Sequence, residues 1–330
     1  MKIVVFGGGT GLSILLRGLK NYTKDISAIV TVADNGGGSG VLREDLGMLP
    51  PGDMRNCIIA LADIEPVMVS LMQHRFSEGY LKGQSFGNLL IAAMYEIFGN
   101  YEHALKEIGS IFRLSGKVLP MTLEDTQLKA SLDNGDCILG EKYIPEYVSK
   151  SNTKIDKISL VPEICKPLEE TVRDIKEADV VVIGPGSLYT SVIPNMLVEG
   201  IPSLLKESKA PVFYVCNLMT QPGETDNYNV SDHVKAIIKH SRDQMIDYVI
   251  VNDQKISDDL IVNYKYQGAK QVLIDEDQIK ELKEMNIKVI CSDFVDIRKG
   301  YIRHNSDKIG QMLLDFVKEK NIWGWSNGGL

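Results

Sequence analysis

The sequence predicts an α/β fold: a mostly parallel, doubly wound sheet with helical and β-hairpin insertions. Two observations carry this. Short apolar runs rich in Val and Ile recur at 2–6, 27–33, 179–183, 211–216, 247–251, 271–274 and 287–291. Most lack polar alternation, as strands covered on both faces do. Helical patterns between several of them predict repeated βαβ units with right-handed crossovers. In addition, two of the runs feed straight into a glycine turn that opens a helix. Lys2–Phe6 is followed by Gly7-Gly8-Gly9-Thr10-Gly11, and Asp179–Ile183 by Gly184-Pro185-Gly186-Ser187. Such turns bring backbone N–H groups close to an anion, and the helix N-terminus behind them favours negative charge. The architecture is Rossmann-like, with a phosphate-bearing ligand expected at the edge of the sheet.

The chain has 330 residues, and we expect one Rossmann-like domain over residues 1–320, followed by a tail at 321–330. Two regions break the βαβ rhythm. Residues 53–113 read as a helical insertion. In it Asp53 caps a helix over Met54–Phe76 bent at Pro66, Ser85 caps a second through Phe98, and a third runs Glu102–Phe112. Residues 118–147 read as a β-hairpin insertion. There Gln127–Leu132 alternates, Asn134-Gly135 supplies the turn and Cys137–Leu139 returns. The helical insertion suits either a lid or the contact between the subunits of a homodimer. Ile309, Met312, Leu313, Phe316 and Val317 follow helical spacing and are expected to pack on the sheet.

Composition excludes several classes. Hydrophobic and charged contents of 44% and 24% are those of an ordinary globular protein. A net charge of −8 argues against nucleic-acid binding. No apolar run approaches the ~18 residues of a membrane span, and the opening apolar run is too short for a signal-peptide core. Cys57, Cys137, Cys165, Cys216 and Cys291 form no CxxC pair, which suits free thiols in a reducing cytosol. A cytoplasmic location is expected.

Candidate chemistry sits at five places. The first turn supplies Gly8, Gly9, Thr10 and Gly11 for a phosphate, although Leu12 stands where a dinucleotide fingerprint has its third glycine. Asp34 ends the second strand at the position that holds a ribose diol in dinucleotide folds. Asn35 and Gly36-Gly37-Gly38-Ser39-Gly40 follow it and read as a flexible loop closing over a ligand. Pro50-Pro51-Gly52 aims Asp53, Arg55 and Asn56 at a helix start, where Arg55 could pair with a phosphate, and Asn88 lies at a similar polar start. Gly186, Ser187, Leu188 and Tyr189 offer backbone donors at the second turn. Asn217, Thr220 and Gln221 begin a long polar loop after a strand, a common place for binding residues. The histidines lack HExxH spacing, and the chain has neither a Walker A lysine nor a G-x-S-x-G elbow. Any catalysis therefore falls to Asp34 and Asp53, as a general base or as ligands of Mg²⁺. The motifs call for no other cofactor.

Six segments in order resemble the bacterial gluconeogenesis factor family, which is related to the 2-phospho-L-lactate transferases of deazaflavin cofactor biosynthesis. They are Gly7–Gly11, Val30–Asp34, Pro50–Asn56, Ser85–Leu90, Gly184–Ser191 and Asn217–Asp226. The resemblance runs from residue 1 to about residue 317. It implies a Rossmann-like fold, a cytoplasmic role in cell shape and wall maintenance during gluconeogenic growth, and binding of a nucleotide-sugar such as UDP-N-acetylglucosamine. Protein partners in wall synthesis are implied but not identified. In the transferase branch a carboxylate pair near Asp34 is associated with metal-assisted transfer. Here Asn35 and Gly38 replace a carboxylate and a serine of the usual Ala-Asp-Asp-Gly-Gly-Ser-Ser-Gly pattern, and an amide cannot act as a base.

The leading expectation is a nucleotide-sugar-binding regulatory factor. Its pyrophosphate would span Gly8–Gly11 and Gly186–Tyr189, the base and ribose would meet Asp34 or Asn217–Gln221, and Arg298 or Arg303 would reach the sugar or phosphate. The alternatives are a Mg²⁺-dependent phosphotransferase built on Asp34 and Asp53, and an NAD-binding oxidoreductase built on Gly7–Gly11 with Asp34.

Overall fold

A computed structural model describes residues 1–323; the expected tail at 321–330 falls largely outside the described residues. The strands are β1 (Lys2–Gly7), β2 (Asp25–Val30), β3 (Lys117–Pro120), β4 (Gln127–Leu132), β5 (Cys137–Leu139), β6 (Ile155–Val161), β7 (Val180–Ile183), β8 (Val212–Val215), β9 (Tyr248–Asn252), β10 (Lys288–Ser292), β11 (Val295–Arg298) and β12 (Tyr301–His304). Seven of them form one sheet in the order β10-β9-β8-β7-β1-β2-β3, with every pairing parallel. Phe6 stands opposite Ile29 on one side and Ile183 on the other. The chain winds from β1 outward to β3, then returns to β7 and winds the other way. The gap between the carboxyl ends of β1 and β7 is therefore the topological switch point.

Because strand side chains alternate, β1 feeds two core layers: Val4 and Phe6 enter one, Ile3 and Val5 the other. With both faces covered, the uniformly apolar runs of the sequence are accounted for. Helix α1 (Gly9–Leu19) begins at the first glycine turn. The helix Ser306–Trp323 carries Ile309, Leu313 and Val317 into the second layer, as their spacing predicts.

Several expectations are corrected. Residues 36–40 do not form a flexible loop: Gly37 begins helix α2 (Gly37–Leu46). A Cβ at Gly40 would lie 2.3 Å from the Asn35 carbonyl oxygen, so close helix–loop packing requires the glycine. The helix expected over 54–76 is two helices, α3 (Gly52–Leu61) and α4 (Pro66–Gln73). Glu65, which precedes Pro66, is extended at φ −60°, ψ 146°, because proline disfavours a helical residue before it. Asp53 does not cap α3; it lies in the first turn, and its carboxylate turns elsewhere. Ser85 does cap helix α5 (Phe86–Phe98), accepting from the Asn88 amide, and helix α6 (Tyr101–Ile111) follows.

The seventh strand is β3, at the edge beside β2, and not 271–274. The latter segment leans on the 217–221 loop, the Val272 amide donating to Leu218 and the Thr220 amide to Lys270. The hairpin of β4 and β5 forms as expected and gains β6, making an antiparallel sheet in the order β5-β4-β6. Among the described residues no helix is long and apolar enough to cross a membrane.

Candidate functional site

The two glycine turns meet at the switch point. A Cβ at Gly11 would lie 2.6 Å from the Pro185 carbonyl oxygen, so the first turn and the second are in backbone contact. Asn195 ties them further, donating from Nδ2 to the carbonyls of Gly7 (3.2 Å) and Ser191 (2.8 Å). Above this junction lies a cleft of about 340 Å³. One wall is built from the glycine turns, with Gly8, Gly9, Thr10, Gly11, Gly186 and Ser187; Asn217, Gln221 and Arg303 also line the cleft. Gln221 Nε2 donates to Ser187 Oγ at 2.6 Å and fixes that hydroxyl. Arg303, on β12, stands over the Tyr301 ring at 5.0 Å and is the cation among the lining residues. Asn217 Oδ1 is buried and has no hydrogen-bond partner among the described residues.

His304, Tyr264 and Ile302 also line the cleft and were not anticipated. His304 Nε2 lies 3.0 Å from the Cys216 carbonyl oxygen, which can only accept, so Nε2 carries the proton. Burial pushes this imidazole down to about 4, so it is neutral at physiological pH. The Tyr264 hydroxyl accepts the Ile302 amide at 3.0 Å. No local sequence signal marks these residues, because β12 and the helix Asp258–Tyr266 reach the cleft from late in the chain.

Behind the first turn sits an acidic group. Asp53 Oδ2 accepts the Gly9 amide at 2.6 Å, so that amide is engaged internally. A Cβ at Gly8 would lie 2.8 Å from the same oxygen. Asp34 Oδ1 accepts the Gly36 amide at 2.7 Å. The hairpin insertion brings Glu141 toward Asp34, Asp53 and Thr190, and the polar loop brings in Glu224. Burial and the Asp34 charge push Asp53 up to about 6, against the Gly9 amide and Arg55, which lower it. Burial and its carboxylate neighbours push Glu141 up to about 7. Burial does the same to Glu224, reaching about 7 despite the Tyr189 and Thr190 amides. Glu141 and Glu224 were missed as site residues; Glu224 lay within the polar loop, whereas Glu141 carried no signal.

The remaining candidates are placed as follows. Tyr189 donates its amide to Glu224 Oε2 at 3.2 Å, and the side chains of Leu188 and Tyr189 are buried in the core. Arg55 donates from Nη1 to Ser85 Oγ and Asn88 Oδ1 and from Nη2 to Asn56 Oδ1, joining α3 to α5, while its buried Nε has no hydrogen-bond partner among the described residues. Asn35 Oδ1 accepts the Lys142 amide, at the base of the hairpin insertion. Thr220 Oγ1 accepts the Lys270 amide. Arg298 pairs with Asp296 on the exposed β11, outside the cleft lining.

Magnesium on Asp34 and Asp53 is what the transferase alternative implies. Asp34 and Asp53 would hold it with the oxygens they keep free, since each carboxylate spends only one oxygen on a backbone amide, and Mg²⁺ is commonly held by one or two carboxylates together with phosphate oxygens and water. Among the described residues no three His, Cys, Asp or Glu groups are placed to hold a metal ion.

Fold and cleft together describe a Rossmann-like α/β protein with its cleft at the switch point of the parallel sheet. The family profile described as 2-phospho-L-lactate transferase CofD matches residues 3–295. The gluconeogenesis factor of Bacillus subtilis is 46% identical over 319 residues, covering 96% of this chain and 98% of that protein. The gluconeogenesis factor of Halalkalibacterium halodurans is 45% identical over 315 residues, covering 95% and 96%. The crystal structure of a UPF0052-family protein from Bacillus halodurans superposes with a TM-score of 0.90 at 44% identity, covering 95% of this chain and 99% of that one. The chain belongs to the gluconeogenesis factor family, within the wider 2-phospho-L-lactate transferase CofD family.

Proposed function

We propose that this chain binds a nucleotide-sugar of the UDP-N-acetylglucosamine type as a regulatory ligand. On this reading it is a cytoplasmic factor required for cell morphogenesis and wall maintenance under gluconeogenic growth. The observation that carries it is the cleft itself, which joins the Gly8–Gly11 backbone, Ser187 and the Arg303 guanidinium at the switch point of the sheet. Backbone N–H groups and one Arg suit a pyrophosphate, and the Asn217 amide and the apolar Ile14, Leu218 and Ile302 suit a base or ribose.

The test is a thermal-unfolding panel with UDP-N-acetylglucosamine, UDP, GDP, GTP and NAD. A ligand at a hundredfold excess over its Kd adds about 2.7 kcal/mol, so selective stabilisation by the UDP-sugar is expected, with the sugar recovered intact. Arg303→Ala should weaken binding by roughly ten- to a hundredfold, the worth of a charged hydrogen bond. Arg298→Ala should leave it unchanged. No response to any UDP compound sinks the reading.

A second reading, a phosphotransferase, is favoured by the family's name and by Asp53, Glu141 and Glu224, whose raised pKa values suit a general base near neutrality. It requires turnover that Asp53→Asn abolishes while binding persists.

A further inference from the structure

At β3 the seven-stranded sheet stops without a further strand. The Met121 amide donates to the Val30 carbonyl on the β2 side. Backbone groups alternate sides along a strand, so Lys117 and Leu119 also turn theirs to β2, and Val118 turns its amide and carbonyl outward. Pro120 has no amide to offer and closes the open stretch. In front of this edge lies a cavity of about 950 Å³, walled by α6 on one side and by the helix Glu169–Lys176 on the other. The edge of the smaller sheet is managed differently. There, on β6, His240 Nε2 accepts the Ile158 amide at 3.0 Å, and Lys239 donates to the Asp156 carbonyl at 2.8 Å. Among the described residues β3 has no such cap.

We propose that an extended acidic segment of a partner protein adds to β3 as an eighth strand, lying between α6 and the helix Glu169–Lys176. Strand addition takes affinity from main-chain bonds and specificity from the side chains of the groove, and the character of the segment follows from charge. The cavity is lined by Lys106, Arg113, Lys117 and Arg173 against Glu102 and Glu170, in a chain that carries −8 overall. Lys117 and Arg173 are both tied to Glu170, at 2.6 and 3.3 Å. Lys106 and Arg113 have no ion pair among the described residues and are free to meet carboxylates.

The wall between those two cations is low. Gly109 lines the cavity one turn from each of them. A Cβ there would come no closer than 3.6 Å to Leu114 Cδ1, an ordinary contact, so packing does not require the glycine. Glycine inside a helix is destabilising relative to alanine, and what its missing side chain leaves here is depth for a strand. The lengths match as well. The eleven residues of α6 span roughly 16 Å, and five extended residues span roughly 17 Å. Alternate side chains of the added strand face the two helices, with the acidic ones toward α6. This inference is independent of what the cleft binds.

The probe is a fluorescein-labelled Glu-Val-Glu-Val-Glu-Val peptide, capped at both ends and titrated with the full chain by fluorescence anisotropy. Saturable binding is expected, and the same peptide with Lys for Glu should stay free. Lys106→Glu with Arg113→Glu should weaken binding at least tenfold. Should that double variant fail to fold, Gly109→Leu decides, since it favours the helix while filling the groove, and it should abolish binding with cooperative unfolding intact. Hydrogen exchange separates strand addition from simple attraction of an anion: the Val118 amide should exchange at least tenfold more slowly with the peptide bound. No saturable binding of the acidic peptide overturns the proposal. So does binding that survives these substitutions, or binding that leaves exchange at Val118 unchanged.

Discussion

The two glycine turns look alike in sequence and do different work. At the first, Gly8, Thr10 and Gly11 border an open cleft, and one amide, that of Gly9, is held by Asp53 from α3. At the second, Gly186 and Ser187 reach the same cleft, but the chain then plunges inward. Leu188 and Tyr189 enter the core, and Glu224 takes the Tyr189 amide and the Thr190 hydroxyl. Each helix start is thus satisfied by a carboxylate from the protein itself, and burial raises the pKa values of those carboxylates although the amide bonds pull the other way. An anion-binding pattern in sequence marks where negative charge is welcome; the fold decides whether a ligand or a side chain supplies it.

The largest expected effect separates the turns by packing. Gly11→Val puts a branched side chain where even a Cβ would stand 2.6 Å from the Pro185 carbonyl oxygen, a backbone atom with little room to retreat. Loss of about 3 kcal/mol or more is expected, the upper range for overpacking, read as a lowered denaturant midpoint. Gly186→Ala meets the Ser191 Cβ at 3.2 Å and the Gly8 carbonyl oxygen at 3.4 Å, and should cost about 1 kcal/mol or less. Equal losses at both positions would show that the two turns are not packed as described.

A smaller effect concerns the internal carboxylates. Asp53, Glu141 and Glu224 all hold their protons more tightly in the folded chain than in the unfolded one. The folded state therefore binds more protons between about pH 4 and about pH 7, so stability falls as pH rises through that window. The slope is at most about 1.4 kcal/mol per pH unit for each group. Glu224→Gln keeps an acceptor for the Tyr189 amide without the charge, and should flatten the upper end of the profile. Melting temperatures measured across the window check the sign; stability that climbs with pH would refute it.

The sheet and the junction of the turns were legible because β-branched runs and glycine spacing are local signals. Lys117–Pro120 was not read as a sheet strand, since four residues beside a hairpin pattern carry too little periodicity to assign a partner. Residues 36–40 were misread because glycine density suggests freedom, whereas α2 uses Gly40 for close approach to Asn35 and Gly38 for close approach to Gln84. The acidic group was half legible. Asp34 and Asp53 sit in recognisable segments, but the bond from Asp53 to Gly9 spans 44 residues, and Glu141 arrives on an insertion from the far side of the chain. Arg303 was named alongside Arg298; β12 brings the former to the cleft, and the Asp296 pair holds the latter outside it.

The smallest effect tests whether the second turn is structural beyond Ser187. The Tyr189 hydroxyl lies 2.7 Å from that of Tyr228, with the two rings edge to face at 6.3 Å. Burial, then the Tyr228 contact, raises the Tyr189 pKa well above the ordinary tyrosine value, so the phenol stays neutral. Tyr189→Phe removes one neutral hydrogen bond and leaves the ring packing and the amide bond to Glu224 in place. A loss of about 1 kcal/mol in stability is expected, with nucleotide-sugar affinity unchanged within twofold. A matching drop in affinity would mean that the second turn reaches the ligand as far as Tyr189, and that the contrast between the turns ends later in the chain than the hydrogen bonds place it.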